Sequence, residues 1–197
     1  MLAGSIFALS GLQAMRRQLE ALEGSGERMP VLFLGHGSPM NAIEDNDFTR
    51  ALRQWGEQLL RPKAILMVSA HWLTRGTHVL TAEKPRTIHD MYGFPDEVYR
   101  IQYPAPGAPE WAAEVQQMVR TTQVLPDESW GFDHGTWSVL KWLFPRADVP
   151  VFQLSIDYYQ PYEFHWRLAQ ELRDLRQRGV LIVGSGNLTH NLRMVDF

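Results

Sequence analysis

The chain has 197 residues, of which 45% are hydrophobic and 21% are charged, and its formal net charge is -3. This length suits one domain with a substantial core, and the absence of a basic excess argues against a nucleic-acid or anionic-membrane partner. The sequence contains no cysteine, which excludes disulfides, thiolate metal ligands and cysteine nucleophiles and is typical of a cytoplasmic protein. No apolar run approaches the roughly 20 residues that a membrane-spanning helix needs.

Residues 1–28 are predicted to form an N-terminal extension. Their pattern favours a short amphipathic helix over a secretory signal, because the arginines follow the apolar stretch instead of preceding it. Residues 29–197 are predicted to form a single α/β domain. Apolar periodicity predicts strands at 30–35, 63–70, 77–82, 149–156 and 180–186, and helices at 47–60, 109–120, 135–144 and 161–179.

The alternation of nearly all-apolar strands with helices predicts an α/β fold. Strands of this kind form a central, mostly parallel sheet that is covered by helices on both faces. Segment 83–108 departs from the pattern, because it is rich in proline, glycine and aromatic residues and has little periodicity. A loop of this length inside a compact domain is usually functional.

Three histidines occupy the same position relative to predicted strands. His36 follows VLFLG, His71 follows ILMVSA, and His190 follows VLIVGSGNLT. Ligands of open α/β sheets bind beyond the carboxyl ends of the strands, and imidazole is a common ligand of zinc, copper, iron and nickel. For each histidine taken alone, a hydrogen bond to a loop backbone is the favoured explanation. Together they predict a shared metal site at the C-terminal strand ends.

Two further histidines have open interpretations. His134 lies at the start of a predicted helix, apart from the strand ends, where it is either an acid/base group or an incidental neighbour of the helix cap Asp133. His89 lies in segment 83–108 and is either a surface residue or a substrate contact. His78 and His165 are predicted to be structural. The G-x-S-x-G and H-E-x-x-H hydrolase motifs are absent from the sequence.

Several longer motifs together carry a family resemblance. FLGHGSPMNAIEDN, VSAHW, TIHDMYGFPDEVYRIQYPAPG, WGFDHGTWSVL, VPVFQLSID and GSGNLTHNLR occur in this order along the chain. The set resembles the class III extradiol dioxygenases, in particular the DODA-type branch of 4,5-DOPA extradiol dioxygenases. The resemblance implies an α/β enzyme that opens a catechol-type ring with O2 at a non-haem Fe(II) site, and Zn(II) is able to occupy the same histidines.

The resemblance also implies roles for individual residues. His36 and His71 match the first two metal-binding histidines, and His190 matches a histidine that is a metal ligand in this branch. His134 matches an active-site histidine and is predicted to be the acid/base group, while His89 lies in a family motif and is predicted to contact the substrate.

The family pattern also implies that the chain lacks a C-terminal segment with a further ligand. The apolar surface that this would leave exposed predicts poor solubility, a homo-oligomer that covers the surface, or a partner. A zinc-dependent hydrolase on the same histidines and a non-catalytic remnant are the alternatives that the sequence leaves open.

Overall fold

The structure is a computed structural model that describes residues 28–188. The predicted extension, except for Arg28, and the predicted ligand His190 therefore lie outside the described residues. The helices are α1 (Asp47–Gln58), α2 (Asp96–Tyr99), α3 (Pro109–Met118), α4 (His134–Leu143) and α5 (Tyr162–Leu172), with 3-10 helices at Pro39–Ala42 and Arg173–Arg178. The strands are β1 (Val31–Leu34), β2 (Ala64–Ser69), β3 (Leu73–Thr74), β4 (Thr77–Leu80), β5 (Arg86–Thr87), β6 (Val124–Asp127), β7 (Gly131–Phe132), β8 (Val151–Gln153), β9 (Ile156–Asp157) and β10 (Val180–Ser185).

The central sheet contains four parallel strands in the order β1-β10-β2-β8. Its register aligns the carboxyl ends of three strands, because Leu34 lies opposite Ser185 and Ser185 lies opposite Ser69. The loops that follow these strands therefore start at the same edge of the sheet. The predicted α/β fold with a mostly parallel sheet is confirmed.

Alternate side chains of β2, β8 and β10 supply two separate cores, whereas Val31 and Phe33 of β1 are exposed. On β2, Ile65 and Met67 pack into a cluster that includes Leu52 of α1 and Leu140 of α4. The intervening Leu66 faces the opposite side, in a cluster with residues of α3 and α5. Because strands bury side chains on both faces only when both faces are covered, this two-sided packing explains the continuous apolar runs in the sequence.

The structure differs from the predicted elements outside the central sheet. Strand β4 does not join that sheet but pairs with β6, which the sequence analysis missed. The sequence of β6 does not predict a strand, because it contains Pro126, which is disfavoured within strands. Its apolar and polar residues also do not alternate, and the side chain of Leu125 is exposed. The predicted strand at 149–156 is divided into β8 and β9.

The predicted helix at 161–179 changes character after Leu172. Its last part is the 3-10 helix Arg173–Arg178, and Gly179 ends it with a φ of 93°, a conformation that favours glycine. Within residues 28–188, no helix has the length and apolar character needed to cross a membrane.

Candidate metal centre

Two histidines extend from the ends of β1 and β2, the two strands that flank β10. His36 follows the last residue of β1 by two positions, and His71 follows the last residue of β2 by two positions. Strand β10 lies between β1 and β2, so the two loops flank its end. The Nε2 atoms of the two imidazoles are 3.1 Å apart, and the ring centroids are 4.9 Å apart.

The hydroxyl of Ser185 fixes the tautomer of His36. Ser185 Oγ lies 2.9 Å from Nδ1 of His36 and donates a hydrogen bond of 2.5 Å to the carbonyl of Gly135. A serine hydroxyl has a single proton, and a carbonyl can only accept. The hydroxyl therefore accepts from Nδ1–H of His36, which leaves the imidazole lone pair on Nε2.

His134 is the first residue of α4 and joins the other two histidines. Its ring centroid lies 3.8 Å from that of His71 and 5.3 Å from that of His36. The sequence predicted that His134 would lie apart from the strand ends. This prediction is wrong, because α4 begins next to the ends of β2 and β10.

Close packing at the start of α4 depends on Asp133 and Gly135. The side chain of Asp133 caps the helix by accepting from the backbone N–H of Thr136 at 3.1 Å. A Cβ atom at Gly135 would lie 2.5 Å from Ser69 Oγ and 3.0 Å from His71 Cδ2. Only glycine allows the helix to begin this close to the end of β2.

The carboxylate of Asp90 bridges His71 and His134. Its Oδ2 accepts from Nδ1 of His134 at 3.0 Å and lies 3.4 Å from Nδ1 of His71, while Oδ1 accepts from the backbone N–H of His134 at 2.8 Å. Burial by itself would raise the pKa of Asp90, but the hydrogen bonds and the charge of His134 outweigh burial and lower this pKa. The ionised carboxylate can only accept, so it favours Nδ1–H on both rings.

A buried polar network lies beneath the histidines. The fully buried carboxylate of Asp133 accepts from Ser69 Oγ at 2.6 Å, from Gln153 Nε2 at 3.0 Å and from Trp130 Nε1 at 3.4 Å. Ser69 also accepts from the backbone N–H of His71 at 3.2 Å. Ser69 and Gln153 are the last residues of β2 and β8, so the ends of the strands are themselves part of the support.

The three histidines fit a metal ion. Each of His36, His71 and His134 offers one nitrogen, and these nitrogens lie within 4.8 Å of one another. Two nitrogens bound to one ion at about 2.0–2.1 Å are at most about 4.2 Å apart, so the 3.1 Å contact of His36 and His71 suits two ligands of one ion. Metal-binding histidines typically donate the other ring N–H to an acceptor, as the Nδ1 contacts here do.

Comparison with known proteins agrees with this geometry. Residues 30–196 match the family described as the catalytic LigB subunit of aromatic ring-opening dioxygenase. The chain belongs to the LigB family. The resemblance to class III extradiol dioxygenases that the motifs predicted is thereby confirmed.

Relatives within the LigB family include named dioxygenases. The chain is 51% identical over 174 residues to a 4,5-DOPA dioxygenase extradiol of Escherichia coli (strain K12), covering 88% of this chain and 64% of that protein. A protein of the same name from Beta vulgaris is 41% identical over 166 residues, covering 81% and 62%. The crystal structure of an uncharacterized protein from Escherichia coli K12 superposes with a TM-score of 0.73 at 46% identity, covering 86% and 64%. The chain thus spans less than two thirds of the length of these relatives.

The histidines predicted from sequence have different outcomes in the LigB fold. His36 and His71 come together at the strand ends, and His134 joins them, whereas His190 lies outside the described residues. The Nε2 atom of His89 is 3.1 Å from the carbonyl oxygen of Ile101. His89 is therefore outside the cluster, although it is the chain neighbour of Asp90.

Sequence analysis missed the residues that hold the histidines. Asp90 lies in segment 83–108, and only the unusual composition of that segment indicated a functional role. Ser69, Gln153 and Ser185 had a usable signal, since each is the polar residue that ends an otherwise apolar strand.

Proposed function

We propose that the chain is a metal-dependent extradiol dioxygenase that opens the ring of a catechol-type substrate with O2. The observation that carries this proposal is the histidine cluster at the strand ends, in which Ser185 and Asp90 hold the Nδ1 atoms. Membership of the LigB family and the similarity to relatives named 4,5-DOPA dioxygenase extradiol support it. DOPA is accordingly the first substrate to test.

His36 and His71 are the proposed ligands in the described part of the chain, and His190 is proposed as a third ligand. A bound ferrous ion would supply adjacent positions for the catechol oxygens and for O2, together with the electron transfer between them. Zinc also suits imidazole ligands but has no redox chemistry, so zinc in the purified protein is compatible with this proposal.

His134 is the proposed acid/base group. Asp90 holds Nδ1 of His134 at 3.0 Å, so Nε2 is the nitrogen that exchanges a proton with the catechol hydroxyl. A carboxylate that orients a histidine in this way is also found in the Ser-His-Asp triad. The same nitrogen returns the proton later in the reaction.

His89 is the proposed substrate contact. Its ring lies 5.7 Å from that of Trp137, and the ring of Trp137 lies 6.4 Å from that of His134. The buried ring of Trp137 thus packs beside both His89 and His134, which places His89 near the proposed acid/base group. Its hydrogen bond to Ile101 also ties segment 83–108 together near Asp90.

The overall reaction needs no external reductant. One C–C bond beside the diol breaks, and both oxygen atoms of O2 enter the product, a semialdehyde that carries a new carboxylate. Ring carbons are oxidised, and O2 is reduced in the same step.

The test of the function is oxygen uptake. The chain is loaded anaerobically with Fe(II) and mixed with DOPA, and oxygen consumption is measured together with the visible absorbance of the ring-opened product. We expect one O2 consumed per DOPA, and no uptake by the His36→Ala variant. The Escherichia coli relative serves as a parallel reference. Metal-loaded protein that consumes no oxygen with DOPA or other catechols would refute the proposal.

A homo-oligomer and a cytoplasmic location stay predictions of the sequence. Light scattering on the purified chain measures the oligomeric state directly. No nucleic-acid or membrane partner forms part of the proposal.

A further inference from the structure

We infer that Asp90 is a positioning residue that sets the metal affinity of the cluster by fixing the tautomer of the proposed ligand His71, and that it holds His134 in the same tautomer. The inference rests on the proposed metal site, but it concerns metal binding and not ring opening. It assigns a function to a carboxylate in segment 83–108, the part of the chain that has little regular structure.

The geometry of Asp90 supports this role. One carboxylate oxygen, Oδ2, faces Nδ1 of both His134 and His71, at 3.0 and 3.4 Å. The other oxygen, Oδ1, accepts from the backbone N–H of His134 at 2.8 Å, so the carboxylate is also fixed to the start of α4. Two imidazoles from different elements thus face one carboxylate oxygen, which is hydrogen-bonded to His134 and lies at ion-pair distance from His71.

An amide cannot replace this carboxylate. In Asp90→Asn, the NH2 group faces either the two Nδ1 atoms or the backbone N–H of His134. In the first orientation the amide donates to Nδ1 and so places the ring proton on Nε2, the nitrogen through which His71 is proposed to bind the metal and His134 to accept a proton. In the second orientation two donors face each other at the start of α4. The first orientation opposes metal binding and the second destabilises the start of α4, so the carboxylate alone satisfies all three contacts.

The experiment measures metal affinity by competition with a chromogenic chelator, using Zn(II) and Fe(II) separately. Replacement of a group that orients a metal-binding histidine typically costs about 10–100-fold in affinity, and we expect a loss of this size for Asp90→Asn. Asp90→Glu keeps the carboxylate and is expected to recover most of the affinity. The free energy of unfolding of each metal-free variant is measured in urea, so that a loss of stability is separated from a loss of affinity.

A matched control is Asp148→Asn, which makes the same chemical change at another site. Asp148 pairs with Arg61 and Arg146 and precedes β8, so it lies at the end of the sheet opposite to the histidines. We expect this variant to bind metal as the wild type does.

A second measurement reports the tautomers without any metal. Nitrogen-15 NMR of the imidazoles in the metal-free chain is expected to show Nδ1–H on His71 and His134, and a shift toward Nε2–H in Asp90→Asn. A merely structural role for Asp90 would not move this signature.

The outcomes separate this inference from the proposed function. Wild-type metal affinity in a folded Asp90→Asn protein, or unchanged tautomers, would overturn the inference. If Asp90→Asn does not fold, Asp90→Ser removes the carboxylate without adding an amide, and the same loss of affinity is expected. A wild-type chain that binds metal but opens no catechol defeats only the proposed function, whereas one that binds no metal defeats both.

Discussion

The clustered histidines at the strand ends are held by the opposite ring nitrogen from His89 and His165. In the cluster, side-chain acceptors hold Nδ1 of His36 and His134, and Nε2 of His36 points toward Nε2 of His71. His89 and His165, in contrast, place Nε2 against backbone carbonyls, each at 3.1 Å. The nitrogen that is held, and the group that holds it, therefore distinguish the clustered histidines from His89 and His165.

The largest effect is expected when a proposed ligand is removed. Loss of a residue that only supports a ligand lowers metal affinity by up to about 100-fold. His36→Ala or His71→Ala should lower it by more than this, because a direct bond to the ion is lost. Metal content after dialysis and chelator competition measure this. His165→Ala is the matched control, and it should bind metal as the wild type does. Unchanged metal content in His36→Ala or His71→Ala would show that the replaced histidine is not a ligand and would contradict the comparison with His165.

Loss of the proposed acid/base group should affect turnover and spare the metal. His134→Ala is expected to bind catechol and metal but to turn over about 10²–10⁴-fold more slowly, the usual effect of removing a general acid or base. Oxygen uptake gives the rate, and chelator competition gives the affinity. If His134→Ala instead loses its metal, His134 is a ligand, and the proton transfer belongs to another residue.

The buried support of the cluster should contribute to stability. Asp133→Ala removes the cap of α4, which is worth about 0.5–2 kcal/mol. It also leaves the buried donors of Ser69 and Gln153 unsatisfied, which costs about 1–3 kcal/mol each. We therefore expect the free energy of unfolding to fall by about 3 kcal/mol or more. Urea unfolding of the metal-free chain measures the change. A loss below about 1 kcal/mol would show that the network is dispensable.

The smallest effect is expected for His89. His89→Ala removes one hydrogen bond to Ile101, and it should cost about 1 kcal/mol in the free energy of unfolding. As a substrate contact, it should raise KM and leave kcat and metal affinity nearly unchanged. Steady-state oxygen uptake over a range of DOPA concentrations separates these constants. An unchanged KM would assign His89 a structural role only, like that of His165.

Sequence reasoning reached the parts of the site that depend on periodicity. His36 and His71 could be placed together, because carboxyl ends of parallel strands meet at one edge and each histidine closely follows an apolar strand. The capping role of Asp133 was visible in its position before a predicted helix, and the structure confirms it.

Other features depend on contacts that periodicity does not encode. The position of His134 follows from where α4 packs, which Gly135 permits through its missing side chain. Asp90 reaches the cluster from an aperiodic segment, and no local pattern predicts the direction of such a side chain. Strand β6 was hidden by Pro126, because its pairing with β4 is set by tertiary structure and not by its own sequence.

The most direct test of the account is the position of a bound metal. Crystals of the chain loaded anaerobically with Fe(II) would be measured at the iron absorption edge, and the anomalous map would locate the ion. The account predicts one strong peak bound by Nε2 of His36 and Nε2 of His71, with their Nδ1 atoms still held by Ser185 and Asp90. A peak at other residues, or coordination through Nδ1, would contradict it.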